Sequence, residues 1–303
     1  VKAWVLHSTN DLRFDNVPMP QMSDNDVLVK VKAASICQSD IPRVYSSGAY
    51  RFPIILGHEF SGLTPDGRRV GVFPLLPCFA CFSCQSGNYE TCLDYSYLGS
   101  RQDGAFAEYV AVPSFNLIDI PDSMSFEQAA LLEPAAVALH AARRVDSGSM
   151  ETAVVVGNGV IGCLISKWLL IFGIDLVDVI GRNDSPRLDS YDVCFEAAGT
   201  TDALRNCVEL LRSNGQLVLI GNPYAGFSID QKLYWQFLRK QLNIKGSWNS
   251  SFPGDWQMVI DLASQLQLDT YISHTFKFSE LLKGFDMIYN KTESHKRIVV
   301  TFD

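Results

Sequence analysis

Thr152-Ala153-Val154-Val155-Val156-Gly157-Asn158-Gly159-Val160-Ile161-Gly162 decides the fold of half the chain. A short β-branched run leads into a turn of three glycines, and an apolar helix-forming stretch follows. Gly157 makes the tight turn, Gly159 lets a ligand approach the backbone, and Gly162 lets helix pack against strand. The helix that opens at Val160 and Ile161 presents free N–H groups to an anion such as a pyrophosphate. From Thr152 onward, strand and helix alternate. Strands are expected at 153–156, 176–180, 193–196, 216–220 and 243–247, and helices at 160–172, 202–212, 232–239 and 255–265. That rhythm predicts a doubly wound parallel sheet with helices on both faces, an α/β fold that binds a dinucleotide. Tight packing without a ligand is the plainer reading of three glycines alone.

The tip of the second strand bears on which dinucleotide is bound. An acid there would hydrogen-bond the ribose and repel a 2′-phosphate. Leu176-Val177-Asp178-Val179-Ile180 runs instead into Gly181-Arg182-Asn183. Gly181 removes the acid and Arg182 can pair with a phosphate, so NADP is slightly favoured over NAD. Asp178, inside the strand, is the competing acid, and a solvated surface charge is the plain reading of Arg182.

Residues 1 to about 132 read mostly as β-structure separated by turns rich in Pro, Gly and Asp. Val27, Val29 and Val31 alternate with lysines on one strand; 70–76 and 106–112 are further candidates. Ser125-Phe126-Glu127-Gln128 can start a helix, and the Ala-rich run from Ala129 to Arg144 continues it, with Pro134 expected to bend or break it. The domain crossing is placed here. The tail from Thr275 contains a helix at 279–289 and a strand at 296–302 and is expected to return to the first domain.

Within the first half, Cys78, Cys81, Cys84 and Cys92 give Cys-x2-Cys-x2-Cys-x7-Cys in a loop of turn formers. Four thiolates close a tetrahedral structural zinc site; an iron–sulfur cluster is the chemical rival. Cys37, His58, Glu59 and Glu133 add a thiol, an imidazole and two carboxylates on separate segments, the donor types of a catalytic zinc site with an open position. Ser39 can pass a proton from the reacting oxygen, and Asp40 can orient His58 from behind. Taken singly, a Cys in a strand is usually core and a His usually a satisfied polar group.

Composition bounds the remainder. The 303 residues suffice for two domains, and 47% hydrophobic with 19% charged residues is globular usage. A net charge of −8 argues against nucleic-acid binding. No apolar run is long enough to span a bilayer and no secretory signal pattern stands at the start. The eight cysteines cluster at metal-ligand spacing, so a reducing cytoplasm is expected rather than a disulfide framework.

Together Cys37-x-Ser39-Asp40, Gly57-His58-Glu59, the four-cysteine lobe, Asp103-Gly104-Ala105-Phe106-Ala107-Glu108-Tyr109, Glu133-Pro134 and the glycine turn resemble the zinc-containing medium-chain alcohol and polyol dehydrogenases. Pro77-Cys78-Phe79, Ile41-Pro42-Arg43, Leu98-Gly99-Ser100-Arg101 and Gly246-Ser247-Trp248 look most like the galactitol-1-phosphate 5-dehydrogenases among them, with sorbitol dehydrogenases next. The resemblance implies a GroES-like catalytic domain, 1–133 and 275–303, and a Rossmann domain, 134–274. It implies catalytic zinc on Cys37, His58 and Glu59, with Glu133 as a fourth or exchanging ligand. It implies Ser39 as the relay hydroxyl, Asn249 near the nicotinamide and substrate, and a homodimer or homotetramer. The expected activity is hydride transfer between NAD(P) and a sugar alcohol or its phosphate, with Arg43 and Arg101 as candidates to hold the phosphate. A zinc-free quinone reductase of the same superfamily and a non-catalytic dinucleotide or redox sensor are the alternatives.

Two connections are shorter than the family's. Only Leu63 to Arg68 follow Gly62, and only Ser185 to Tyr191 bridge Asp184 to Asp192-Val193. Seven residues cannot hold a helix and a strand. Losing a buried strand would leave ladder groups unpaired, so segments missing from this sequence are expected rather than true deletions.

Overall fold

The computed structural model describes residues 1–146, 151–182, 184, 188–223 and 226–303. It divides into two compact units, Val1–Glu133 with Ser251–Asp303, and Pro134–Ser250.

The first unit is mainly antiparallel. Its strands are β1 (Lys2–Ser8), β2 (Asp11–Asn16), β3 (Asp26–Ser35), β4 (Ile54–Ile55), β5 (Glu59–Leu63), β6 (Arg69–Val72), β7 (Leu75–Leu76), β8 (Ser96–Tyr97), β9 (Tyr109–Pro113) and β10 (Leu117–Asp119). Helices α1 (Asp40–Tyr45), α2 (Phe82–Gln85) and α3 (Phe126–Ala129) lie between or after them. β3 is the spine: Val29 and Val31 are fully buried while Lys30 between them is exposed, the alternation the sequence predicts. The expected strand over 70–76 is split into β6 and β7, because Pro74 has no N–H to give a ladder.

Ser125 caps α3 through the expected capping box with Gln128. The Ala-rich helix resumes as α4 (Leu132–Ala142). Its break falls before Pro134, which sits in the first turn of α4, where a missing N–H breaks no intrahelical bond.

The second unit is parallel. Strands β11 (Thr152–Val156), β12 (Leu176–Ile180), β13 (Tyr191–Glu196), β14 (Leu211–Leu219) and β15 (Asn243–Gly246) are ordered β12-β11-β13-β14-β15. Helices α5 (Val160–Ile171), α6 (Thr201–Leu210) and α7 (Gln231–Lys240) connect them. β14 is flanked on both sides by β13 and β15, and β15 is an edge. The core of the unit gathers Val154, Cys194, Leu204, Cys207 and Leu217, all nearly or fully buried.

The chain re-enters the first unit at Ser251 rather than at 275. Aromatic burial explains the difference: Phe252 stacks on Phe73 with ring centroids 4.7 Å apart, and Trp256 meets Phe73 edge-on at 5.8 Å. α8 (Gly254–Asp261) and α9 (Ala263–Leu266) therefore belong to the first unit. The tail then adds β16 (Ile272–Lys277), α10 (Leu281–Asn290) and β17 (Arg297–Thr301). β17 pairs antiparallel with β3, Val299 opposite Ser35. The sequence reading missed β16, whose burial alternates only between intermediate and exposed.

The first short connection closes locally; residues 185–187 of the second lie outside the described residues. β5 and β6 form a hairpin, Leu63 opposite Arg69, closed by the Thr64 N–H on the Arg68 carbonyl at 3.0 Å. After β12 the chain passes to β13 with no intervening strand among the described residues, which leaves β12 at the sheet edge. No described helix is long and apolar enough to cross a membrane.

Candidate metal centres and dinucleotide site

Three neighbouring strands build the first centre. β5, β3 and β17 lie side by side, with Ser35 opposite both Glu59 and Val299. That register places Cys37, just past β3, against His58 and Glu59 at the start of β5. The Cys37, His58 and Glu59 ligand atoms all lie within 4.8 Å of one another. Gly57 leads into His58 at φ +95°, and a Cβ on Gly99 or Gly104 would strike its carbonyl oxygen at 2.4 and 2.1 Å. Only a glycine crossing lets these backbones meet so closely.

The surroundings are buried and charged. Asp40 and Glu59 are fully buried and His58 is 5% exposed. Arg297 Nη2 lies 2.8 Å from Glu59 Oε1, and the Ser35 hydroxyl donates to the other carboxylate oxygen. Asp40 Oδ1 is 3.6 Å from His58 Nδ1, the length of an ion pair and too long for the expected orienting hydrogen bond. Arg43 Nη1 reaches Asp40 Oδ1 at 2.8 Å and the Ser39 hydroxyl at 3.1 Å. The Ser39 hydroxyl points at Cys37 Sγ, 3.3 Å away. Burial and the Glu59 charge push the Cys37 thiol up, a cost that a bound dication reverses.

Glu133 lies in the first turn of α4 and stands outside the three-residue group. Its Oε1 accepts a hydrogen bond from the Tyr97 hydroxyl at 3.2 Å. Burial and the nearby Glu59 charge push it up to about 7.

The second centre is the cysteine lobe between β7 and β8. The sulfurs of Cys78, Cys81, Cys84 and Cys92 all lie within 4.8 Å of one another. Cys78 to Cys84 is 3.9 Å and Cys81 to Cys92 is 4.0 Å. Four sulfurs about 2.3 Å from a tetrahedral zinc sit about 3.8 Å apart, so the lobe fits the ion. Backbone N–H groups of Leu93 and Cys84 hold the Cys81 thiol down at about 6, whereas burial pushes Cys84 up to about 12. All eight cysteines are free of disulfides.

The glycine turn lies in the second unit. Gly157 has φ +125° and a Cβ there would come within 3.0 Å of Ala197; a Cβ on Gly162 would come within 1.8 Å of the Gly157 carbonyl oxygen. A Cβ on Gly159 would meet nothing within 4 Å, so this glycine leaves open ground over the start of α5. Gly159 is the N-cap and supplies no side chain to the first N–H groups, which fits the approach of a pyrophosphate to Val160 and Ile161.

At the β12 tip, a Cβ on Gly181 would lie 2.8 Å from the Asn158 side chain. Arg182 is exposed. Asp178 accepts a hydrogen bond from the Tyr191 hydroxyl. Asp184, which sequence reading passed over, turns back so that its carboxylate accepts the Gly181 N–H at 2.6 Å. Asn183 lies outside the described residues. Asn249 sits in the second unit at φ 52°.

Of the two arginines expected to hold a phosphate, Arg43 is beside Ser39, as above. Arg101 donates to the Tyr95 carbonyl at 2.7 Å and stacks on the rings of Tyr95 and Tyr50. Sequence reading also missed Arg297 and Tyr97. Arg297 stands at the far end of the chain from its partner, and the partner of Tyr97, Glu133, is on another element.

Residues 23–122 match the alcohol dehydrogenase GroES-like domain family, and residues 186–265 match the zinc-binding dehydrogenase family. The galactitol 1-phosphate 5-dehydrogenase of Escherichia coli K12 is 31% identical over 94% of this chain and 95% of its own length. That alignment runs to 329 positions against 303 residues here, so the relative carries stretches this chain lacks. The sorbitol dehydrogenase of Bacillus subtilis is 30% identical over 74% of this chain and 75% of its own. The crystal structure of the Escherichia coli galactitol-1-phosphate dehydrogenase superposes with a TM-score of 0.90 at 27% identity, over 99% of this chain and 100% of that one. With its GroES-like antiparallel unit, its Rossmann-like parallel unit and its two clusters of metal-donor side chains, the chain belongs to the zinc-type alcohol dehydrogenase family.

Proposed function

We propose that this protein is an NAD(P)-dependent zinc dehydrogenase that interconverts a sugar alcohol, or its phosphate in the manner of galactitol 1-phosphate, with the corresponding ketose. The observation that carries the reading is the convergence of Cys37, His58 and Glu59 donor atoms beside the Ser39 hydroxyl. These three residues hold the catalytic zinc, and Cys78, Cys81, Cys84 and Cys92 hold a structural one. Bound zinc supplies a Lewis acid for the substrate oxygen, and bound nicotinamide supplies the hydride acceptor.

The chain's own residues do the rest. Ser39 Oγ takes the proton of the substrate hydroxyl and passes it toward solvent. Arg43 keeps that hydroxyl oriented while it ties down Asp40, which faces His58. The Arg43 guanidinium, 3.1 Å from the relay hydroxyl, supports a substrate that carries an anionic group. Arg101, stacked on two tyrosines, serves the surface instead. Gly157, Gly159 and Gly162 shape the turn that receives the pyrophosphate. Gly181 with Arg182 favours NADP slightly, and the Asp184 carboxylate three residues on is the group that opposes a 2′-phosphate.

Initial rates with galactitol 1-phosphate, galactitol and sorbitol, each against NAD and NADP, test the reading. Preference for the phosphorylated substrate supports it. Preference for free polyols moves the assignment to the sorbitol dehydrogenase side, which the similarity to the Bacillus enzyme favours as a second reading. Dinucleotide binding without turnover on any polyol would point to a sensor.

A further inference from the structure

We propose that Tyr97 is a positioning residue that holds Glu133 away from the catalytic metal position and so keeps the open coordination place for substrate. This rests on the reading that zinc binds Cys37, His58 and Glu59. Three donors leave a fourth tetrahedral position to be filled. A carboxylate close by is a ready candidate to fill it, in competition with the substrate oxygen. Glu133 is such a carboxylate, yet it stands outside the three-residue group.

The Tyr97 hydroxyl accounts for where Glu133 stands. It donates to Glu133 Oε1 at 3.2 Å, and its ring meets His58 edge-on with centroids 5.7 Å apart. Tyr97 therefore touches a zinc-binding residue on one side and the exchanging carboxylate on the other. Its own place is set by β8, where it pairs with Leu75 of β7. Those two-residue strands are the two ends of the cysteine lobe. Four thiolates on one ion would staple that loop shut, so the lobe has a task beyond stability: it fixes the tyrosine that restrains Glu133. Were the hydrogen bond lost, the Glu133 carboxylate would be free to act as a metal donor; while it is made, the carboxylate would be held back.

Zinc release to excess pyridine-2,6-dicarboxylate tests the idea in the purified protein without any substrate. The phase belonging to the catalytic ion is the one that Cys37→Ser abolishes. Tyr97→Phe, which keeps the ring, is expected to slow that phase about tenfold or more, the worth of one hydrogen bond to a charged group, because Glu133 becomes a ligand. Adding Glu133→Gln to Tyr97→Phe is expected to restore the rate of Glu133→Gln alone. The visible spectrum of the cobalt-substituted protein is expected to change in Tyr97→Phe and to lose that change in the double variant. Release from Tyr97→Phe at the wild-type rate or faster, or a slowing that survives in the double variant, would overturn the proposal. If Cys37→Ser abolishes no phase, the catalytic-zinc reading fails first, and that outcome is distinct from an unaltered Tyr97→Phe.

Discussion

Ser39 is the residue whose change separates chemistry from metal binding. Its hydroxyl contacts Cys37 Sγ and Arg43 and contributes no ligand to the metal group. Ser39→Ala is expected to lower kcat/KM by about 10²–10⁴ while zinc content stays at the wild-type level. Unchanged turnover, or loss of zinc alongside activity, would sink the relay role. Arg297 is the opposite case, a buried cation whose partner is the buried Glu59. Arg297→Met leaves that carboxylate without its ion pair and is expected to cost about 3–5 kcal/mol in urea denaturation of the zinc-free protein; a cost near zero would mean that the pair is not formed. The metal-donor side chains were legible in sequence because short spacings carry them: Cys37-x-Ser39-Asp40, Gly57-His58-Glu59 and the four-cysteine loop. Arg297 was not, because only the β17–β3 pairing brings the far end of the chain beneath Glu59. Tyr97 was not, because its role depends on a hydrogen bond to a residue on another element.

At the scale of elements, strand register does the positioning. α10 closes the first unit through Phe285, fully buried and edge-on to Phe106 at 5.7 Å. Phe285→Ala is expected to cost about 3–5 kcal/mol, read as a lower denaturation midpoint; an unaltered midpoint would show that the tail does not seal this core. In the second unit, the start of β11 is tied to β13 by Asp192. Burial raises its carboxyl, but the N–H groups of Glu151 and Thr152, the Thr152 hydroxyl and Arg212 outweigh burial and hold it below the usual range. A carboxyl lowered in the folded state stabilises above its unfolded value, about 3.9, and that stability is lost as pH falls through the folded value. Asp192→Asn should therefore destabilise the protein at neutral pH, with the gap to wild type narrowing below about pH 4. A gap that stays constant with pH would refute the role of the charge. The rhythm of elements was legible through period and capping, as Ser125 and the glycine turn show. The break between α3 and α4 was displaced because Pro134 is harmless in a first turn, and β16 escaped notice because neither of its faces is fully buried.

At the scale of the molecule, the chain pairs an antiparallel unit carrying both metal clusters with a parallel unit carrying the dinucleotide turn. β12 is left with one ladder, to β11, and Leu176 at its start is 64% exposed. Such an edge is a place where strands of other chains can add, and β15 is the other edge of the same sheet. The central claim, that this fold exists to hold a catalytic zinc at Cys37, His58 and Glu59 and a structural one in the lobe, is tested most directly by counting metal. Elemental analysis of the purified wild type and of Cys37→Ser is the measurement. The two donor clusters predict two zinc ions per chain in the wild type and one in the variant; equal zinc in the two proteins, or none in the wild type after growth with zinc, would contradict the account.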